Sequence, residues 1–285
     1  MSGEPRSMSA PRQPVPSPAS PETGAASLRH DQPPVPGRSR FRRAVYEVLR
    51  VVVIVLLKAF YRVRWEGGER VPRAGPLLVV ANHQSYLDPP VIGAGIRCRQ
   101  LAYLARSGLF ERRLFAWLIS TLNAIPIRQE SDGRAGADAG AVREVLRQLG
   151  AGRAVLVFPE GARTPDGVMR SFQRGFALMA RRSGCAVLPT AIEGCFDTWP
   201  RSRRLPRLFG CRVAVRYGEA IPATELFGDD VNAGVSRLAE EIDRMRLELR
   251  AELRARTRGR FPPPGPADGP LSPPPHARRP GGAGR

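Results

Sequence analysis

The middle of the chain alternates between short apolar runs and longer segments whose apolar residues recur at helical spacing. The short runs are bounded by Gly, Pro or charged residues and predict strands at Leu77–Ala81, Leu101–Ala105, Ala124–Ile127, Ala154–Phe158, Ala186–Ile192 and Val213–Tyr217. Between two of them, the apolar residues Val142, Val145, Leu146 and Leu149 follow the i, i+3, i+4, i+7 spacing of one helix face. Strands that alternate with helices predict an α/β fold with a largely parallel central sheet flanked by helices.

A longer helix is predicted near the C-terminus, in the stretch SRLAEEIDRMRLELRAEL. Its apolar face consists of Leu238, Ile242, Met245 and Leu249. The remaining positions are dense in alternating Glu and Arg, a pattern that is typical of a solvated helix surface.

The first apolar segment, AVYEVLRVVVIVLLKAFYRVRW, contains only seven uninterrupted apolar residues, from Val51 to Leu57. This is short of the roughly 20 that a membrane-spanning helix needs. Arginines precede the segment between Arg38 and Arg43, and Arg62 and Arg64 follow it. We therefore predict a helix over residues 41–64 that lies at a membrane interface, with guanidinium groups at lipid phosphates. A buried core helix is the alternative that this pattern leaves open.

Both ends of the chain are rich in Pro, Gly, Ser and Arg. Residues 1–40 and 258–285 contain stretches such as PRQPVPSPASPE and FPPPGPADGPLSPPP, with few periodic apolar residues. Such segments cannot bury enough apolar surface to offset the entropy of ordering, so the sequence predicts two disordered tails. The folded part then comprises the interfacial helix and one domain over residues 65–257.

The formal net charge is +19, and Lys58 is the only lysine, so arginine supplies almost all of the positive charge. A charge of this size suggests an anionic partner: nucleic acid, a membrane surface or a phosphorylated substrate. The four cysteines form no CxxC pair, and together with only three histidines they predict no metal site. Scattered cysteines in a chain of this length are typical of reduced, buried thiols in the cytoplasm.

One candidate site follows the first predicted strand, in the stretch LLVVANHQSYLDPP. His83 is the only histidine outside the two tails, and Asp88 lies five residues after it, at the start of a predicted helix. With His83 in the loop, its ring can fold back onto the Asp88 carboxylate, which would leave the other ring nitrogen free to act as a base. The alternative is structural: Asp88 only caps the helix, and His83 only binds its own loop.

A second candidate loop follows the strand at Ala154–Phe158, in the stretch AVLVFPEGARTPDG. A glycine backbone at Gly161 and a guanidinium at Arg163 are suited to binding phosphate. An ordinary glycine turn with a solvated arginine would have the same sequence.

Together these stretches resemble the glycerolipid acyltransferase family. NHQSYLD matches the first motif of the family, N-H-x4-D, and FPEGAR resembles the third, F-P-E-G-T-R. LNAIPIRQE and AVLPTAIEG resemble the second and fourth blocks, with Arg128 and Pro189 at the arginine and proline positions. Four blocks in the family's order make the resemblance specific. Ala162 departs from the usual threonine of the third motif, which bears on acceptor identity rather than on the reaction.

The resemblance implies that His83 is a general base that Asp88 orients. Arg128, Glu160, Gly161 and Arg163 would hold the phosphate end of the acceptor, and Pro189 would shape the acyl side. The implied reaction moves a fatty acyl chain from acyl-CoA or acyl-carrier protein to a lysophospholipid, most simply 1-acyl-glycerol 3-phosphate, which gives phosphatidic acid. No metal or bound cofactor is expected, and the expected location is the cytoplasmic face of a membrane, as a peripheral or monotopic protein.

Three alternatives stay open at this point. The acceptor could be another lysolipid, such as a lyso-aminolipid, because the third motif is imperfect. A catalytically inactive lipid-binding protein of the same fold would keep both loops but would not transfer an acyl group. A nucleic-acid-binding protein would explain the charge, but the sequence has no zinc finger, RNA-binding motif or basic recognition helix, so no nucleic acid is expected.

Overall fold

The computed structural model describes residues 40–106, 108, 111, 116–117, 120, 124–127 and 139–271. Within these ranges the helices are α1 (Arg40–Tyr61), α2 (Asp88–Gly95), α3 (Ala139–Gly150), α4 (Gly175–Ser183), α5 (Cys195–Thr198), α6 (Ala223–Phe227) and α7 (Val231–Arg256). The strands are β1 (Arg64–Glu66), β2 (Leu77–Ala81), β3 (Leu101–Arg106), β4 (Ala124–Ile127), β5 (Ala154–Val157), β6 (Ala186–Glu193), β7 (Ala214–Tyr217) and β8 (Ile221–Pro222). Gly68–Arg70 and Pro266–Asp268 form 3-10 helices.

The strands form one sheet in the order β1-β7-β6-β2-β5-β3-β4, with β8 beside β6. The five strands from β6 to β4 in that order run parallel to one another. At the other end, β7 and β8 run antiparallel to β6, and β1 runs parallel to β7. The predicted α/β fold with a largely parallel sheet is therefore confirmed. Strands β1 and β8, three and two residues long, are too short to show an alternating pattern in the sequence.

The central strand β2 is buried on both sides, and its alternate residues face two different cores. Leu78 and Val80 pack with residues of α3, α4, α6 and α7, whereas Leu77 and Val79 pack with residues of α1 and α2. The predicted apolar face of α7 lies in the first of these cores, where its four residues are at most 2% exposed. Because the parallel strands share an edge at their carboxyl ends, the loops after β2 and β5 emerge side by side.

Helix α1 ends at Tyr61, short of the predicted end at residue 64, because the chain enters β1 at Arg64. The helix has two different sides. Leu57 and Tyr61 are buried against the domain. An exposed apolar stripe runs along the other side and consists of Val48, Val51, Val52, Val55 and Leu56, between 46% and 62% exposed. Their spacing of three and four residues places them on one helix face. Across the described ranges, no helix is both long and apolar enough to cross a membrane.

The prediction of a disordered C-terminal tail is wrong between residues 258 and 271, which we call the C-terminal segment. Phe261 is 5% exposed, and the carbonyls of Pro263 and Ala267 accept hydrogen bonds from Arg250 and Arg246 of α7, at 2.9 and 2.7 Å. Composition does not reveal this packing because it depends on arginine side chains of the preceding helix, α7, which donate hydrogen bonds to the carbonyls of a Pro-rich backbone. Residues 1–39 and 272–285 lie outside the described residues.

The same contacts correct the prediction of a fully solvated polar face on α7. Arg246 and Arg250 are 0% and 2% exposed, and Asp243 is also buried. The arginines continue the i, i+4 row that begins at Ile242, so they lie at the border of the apolar face rather than opposite it. Buried arginines need hydrogen-bond acceptors, and the C-terminal segment supplies several of them.

Candidate active site

His83 lies in the loop between β2 and α2, and its ring does fold back onto Asp88. The His83 Nδ1 atom is 2.9 Å from Oδ2 of Asp88. The Asp88 side chain is fully buried in the first turn of α2, and the same oxygen accepts hydrogen bonds from the backbone N–H groups of Gln84 and Ser85. These donors and the N-terminal end of the helix dipole stabilise the negative charge of the carboxylate. Asp88 is thus fixed as an acceptor for the His83 Nδ1–H group.

The His83 ring is also held from one side. It stacks on Phe158, with 4.0 Å between the ring centroids and an interplanar angle of 15°. The His83 side chain keeps 19% of its surface exposed. With Nδ1–H donated to Asp88, Nε2 carries the lone pair, and it makes no hydrogen bond to any residue in the described ranges. The arrangement can therefore accept a proton from a hydroxyl group that reaches Nε2.

Glu160, in the loop after β5, contacts the His83 loop directly. Its Oε1 accepts a 2.7 Å hydrogen bond from the backbone N–H of His83, and its Oε2 accepts a 3.0 Å bond from that of Arg170. The Glu160 side chain is buried, and burial raises its pKa to about 8. Both oxygens are thus engaged with backbone amides, and a buried carboxyl is a poor ligand for phosphate. Glu160 therefore contacts the backbone of the His83 loop, and its predicted part in binding the acceptor phosphate stays a prediction.

The rest of the second loop continues this contact. The backbone N–H of Thr164 donates a 3.0 Å hydrogen bond to the His83 carbonyl. The backbone N–H and the carbonyl of His83 are therefore both hydrogen-bonded to the loop after β5. Gly161 has a φ of 75°, in the left-handed region, and a Cβ atom there would lie 2.5 Å from the Gln173 side-chain nitrogen. A glycine is required at this position to make the turn.

Arg163 lies over an aromatic platform next to the His83 loop. Its guanidinium carbon is 3.5 Å from the centroid of the Tyr86 ring, and Tyr86 in turn contacts Trp199, with 5.3 Å between ring centroids. The Nη1 atom of Arg163 is buried and has no hydrogen-bond partner among the described residues. A guanidinium that is held by a cation–π contact and keeps an unpaired donor is suited to binding an anionic group.

Of the other two predicted site residues, the structure describes only Pro189. Pro189 lies within β6, paired in register with Val80, and lines a cleft of about 480 Å³ with Gly218 and Met245. None of the residues that line this cleft belongs to the His83 or Glu160 loops. Arg128 follows β4 directly and lies outside the described residues, so its predicted role stays a prediction.

The site also contains a buried polar network. The Gln84 side-chain amide donates a 2.8 Å hydrogen bond to Glu193 at the end of β6, and Glu193 accepts a second bond, 2.7 Å long, from Arg250. Burial raises the pKa of Glu193, and the charges of Arg250 and Arg246 oppose that shift. Two sequence signals mark this network: a glutamate that ends an otherwise uncharged strand, and the i, i+4 row of Ile242, Arg246 and Arg250.

The chain is similar in sequence and in fold to known acyltransferases. Residues 62–193 match the family model described as Acyltransferase. A solved structure, the 1-acyl-sn-glycerophosphate acyltransferase of Thermotoga maritima, aligns with 75% of this chain and 84% of its own, with a TM-score of 0.62 and 28% identity.

Two curated relatives are similar over shorter lengths. A chloroplastic 1-acyl-sn-glycerol-3-phosphate acyltransferase of Arabidopsis thaliana is 29% identical over 163 residues, which cover 56% of this chain and 44% of the plant protein. A lyso-ornithine lipid O-acyltransferase of Pseudomonas aeruginosa is 34% identical over 119 residues, 41% of this chain and 43% of that protein. The chain thus spans about half the length of the curated relatives it matches.

Proposed function

We propose that this chain, whose residues 62–193 match the acyltransferase family model, transfers a fatty acyl group from a thioester donor to the free hydroxyl of a lysophospholipid. The donor is acyl-CoA or acyl-carrier protein, and 1-acyl-glycerol 3-phosphate is the acceptor that we propose first. The observation that carries the proposal is the His83–Asp88 pair, in which a buried carboxylate orients a partly exposed imidazole.

In the proposed reaction, Nε2 of His83 takes the proton of the acceptor hydroxyl as its oxygen attacks the thioester carbonyl. The new carbon–oxygen bond forms, and the carbon–sulfur bond breaks. The imidazolium then returns its proton to the departing thiolate, so His83 ends the cycle neutral. Asp88 accepts the Nδ1–H hydrogen bond throughout, which fixes the ring and stabilises its positive charge. We expect the reaction to need no metal or bound cofactor.

Arg163 is the residue that we propose for the acceptor phosphate. Its buried, unpaired Nη1 and its fixed position over Tyr86 favour a charge-assisted hydrogen bond to a phosphate oxygen. Gly161 supports this role by allowing the turn that presents the loop, and Arg128 remains a second candidate for the same group.

We further propose that the protein acts at the cytoplasmic face of a membrane, as a peripheral or monotopic protein. The support is the exposed apolar stripe of α1, which is followed by the basic residues Arg62 and Arg64. A lipid acceptor that reached a site away from the bilayer would expose its acyl chain at about 0.8 kcal/mol per methylene. Binding of the enzyme to the surface avoids this cost.

A panel of lyso-acceptors with one radiolabelled acyl-CoA, separated by thin-layer chromatography, tests the proposal. We expect the purified full-length chain to convert 1-acyl-glycerol 3-phosphate to labelled phosphatidic acid. Repeating the panel with acyl-carrier protein as the donor identifies the thioester that is used. A folded protein that labels no acceptor with either donor would contradict the proposal.

A second acceptor class is supported by one observation. The relative from Pseudomonas aeruginosa, named for a lyso-ornithine lipid acceptor, is 34% identical over 119 residues, compared with 29% over 163 residues for the plant enzyme. A lyso-aminolipid carries no phosphate, so Arg163 would then have no phosphate to bind. Exclusive labelling of lyso-ornithine lipid in the same panel would replace the first acceptor with the second.

A further inference from the structure

The loop between α5 and β7 contains an unusual cluster of exposed apolar and basic side chains. Leu205 and Phe209 are 77% and 78% exposed, and Leu208 is 48% exposed. Four exposed arginines are interleaved with them: Arg201, Arg203, Arg204 and Arg207. None of the four forms an ion pair with a residue in the part of the chain that the structure describes. We call residues 201–210 the basic loop.

The basic loop is continuous with the exposed apolar stripe of α1. Phe209 contacts Phe60, with 5.8 Å between ring centroids. Phe60 in turn continues the i, i+4 row of Val52 and Leu56 on α1. The two elements therefore present one apolar surface, although they are far apart in the sequence.

The basic loop is attached to the domain at the candidate active site. The Arg207 backbone N–H donates a 2.9 Å hydrogen bond to the Thr198 carbonyl, and the Trp199 indole N–H donates a 3.0 Å bond to the Arg203 carbonyl. The carbonyl of Trp199 accepts a 2.8 Å bond from Ser85, two residues after His83. The loop thus begins at the aromatic platform on which Arg163 lies and leads to the apolar surface of α1.

We propose that the basic loop is a second membrane-binding element, which inserts its leucines and Phe209 into a bilayer and pairs its arginines with anionic lipid head groups. Exposed leucine and phenylalanine next to unpaired arginine match the two layers of such a surface, apolar chains below and phosphates above. An acidic carrier protein could also pair with the arginines. The large exposed apolar side chains, continuous with α1, favour the bilayer.

This inference rests on the proposed function, because the membrane contact would place the candidate active site next to the lipid surface. Two membrane contacts, one on α1 and one beside Trp199, hold the platform of Tyr86 and Arg163 near the head groups. A lysolipid acceptor could then enter from the bilayer without exposing its chain to water.

Co-sedimentation of the full-length chain with vesicles tests the proposal, using phosphatidylcholine alone and phosphatidylcholine mixed with phosphatidylglycerol. The apolar variant is Leu205→Ser/Phe209→Ser, and the charge variant is Arg203→Gln/Arg204→Gln. We expect the apolar variant to bind both kinds of vesicle at least about tenfold more weakly. The charge variant should lose about fivefold per arginine on the anionic vesicles only.

Matched controls come from α4, which packs on the opposite face of the sheet from α1. Leu178→Ser removes a leucine that is 58% exposed, and Arg181→Gln/Arg182→Gln removes two exposed arginines. Both controls should bind vesicles like the wild type, and circular dichroism should show all variants folded. Loop variants that bind vesicles as the wild type does would overturn the proposal, and so would a wild type that binds neither vesicle.

Two further measurements separate the alternatives. Loop variants that keep vesicle binding but lose binding to acyl-carrier protein would overturn the lipid surface in favour of a protein partner. Transfer to a short-chain, water-soluble lysophospholipid should be unchanged in the loop variants, because the loop does not contribute the base or the phosphate ligand. If the wild type transfers to no acceptor at all, the proposed function fails, while vesicle binding still decides the role of the loop.

Discussion

The side chain of Gln84, the residue after His83, donates a 2.8 Å hydrogen bond to the fully buried carboxylate of Glu193. Arg250 of α7 binds the other carboxylate oxygen at 2.7 Å and also donates to the Pro263 carbonyl of the C-terminal segment. The loop that contains the proposed base is therefore linked, through buried polar groups, to the last helix and to the chain that follows it.

Replacing Arg250 should be strongly destabilising. Arg250→Met leaves Glu193 buried, with Gln84 and the more distant Arg246 (3.8 Å) as its remaining partners. Breaking a buried pair by removing one partner costs about 3–5 kcal/mol. We expect a loss of that size in the free energy of unfolding, measured by urea titration with circular dichroism.

Arg244 provides the control on the same helix. It is 56% exposed and pairs with the exposed Glu241 and Glu248. Arg244→Met should change the free energy of unfolding by no more than about 1 kcal/mol, because exposed ion pairs contribute little. Similar losses in the two variants would mean that the buried network has no special part in stability.

His83→Ala removes the proposed general base and should lower kcat by about 10²–10⁴-fold. The His83 side chain lies in a loop and keeps 19% of its surface exposed, so thermal unfolding should be nearly unchanged. A folded His83→Ala protein with wild-type turnover would exclude the mechanism.

Asp88→Asn separates orientation of the base from its presence. The asparagine oxygen can still accept from the backbone N–H groups of Gln84 and Ser85, but it carries no charge to stabilise the imidazolium. We expect kcat to fall by at least about 10²-fold, whereas KM for the acceptor stays within a few-fold of the wild type. Steady-state kinetics with varied acceptor gives both values, and a rise in KM alone would place Asp88 in substrate binding.

The fold was largely predictable because its strands are buried on both faces and leave uninterrupted apolar runs between turn residues. All six predicted strands are present, and Leu77–Ala81 and Ala124–Ile127 match at both ends. The His83–Asp88 contact was predictable for a local reason, since five residues of loop suffice to bring the two side chains together.

The parts that could not be predicted depend on contacts between distant segments. Glu160 resembles a phosphate ligand in sequence, but the burial that directs both its oxygens to the backbone comes from packing of two loops 77 residues apart. Arg250 likewise looks like one of many surface arginines on α7, and its burial depends on the Pro-rich segment after it. The local sequence pattern therefore predicts neither the burial of Glu160 nor that of Arg250.

Arg163→Ala should weaken binding of a phosphorylated acceptor more than binding of the acyl donor. The charge-assisted hydrogen bond in question is worth about 1.5–3 kcal/mol, so KM for 1-acyl-glycerol 3-phosphate should rise about 10- to 100-fold. Arg163→Lys keeps the charge but loses the planar contact with Tyr86 and should recover only part of the loss. An equal rise in KM for both substrates would place Arg163 at the donor.

Glu160 should make stability depend on pH in a defined window. Burial raises its pKa in the folded protein to about 8, from an ordinary value of 4.5. Between these two values the folded chain holds a proton that the unfolded chain has lost, so the free energy of unfolding falls as pH rises through the window. The stabilisation is fully present below 4.5 and is lost by the time pH exceeds about 8.

Glu160→Gln removes this titration and should therefore flatten the dependence. Urea unfolding at about pH 5, 6.5 and 8 gives the free energy of unfolding of each protein, and the advantage of the wild type over Glu160→Gln should shrink steadily as pH rises. Glu225→Gln, which changes an exposed glutamate on α6, is the control and should keep the slope of the wild type. Parallel pH profiles for the wild type and Glu160→Gln would show that the carboxyl holding the His83 loop is ionised across the whole range, and the burial argument at this residue would be wrong.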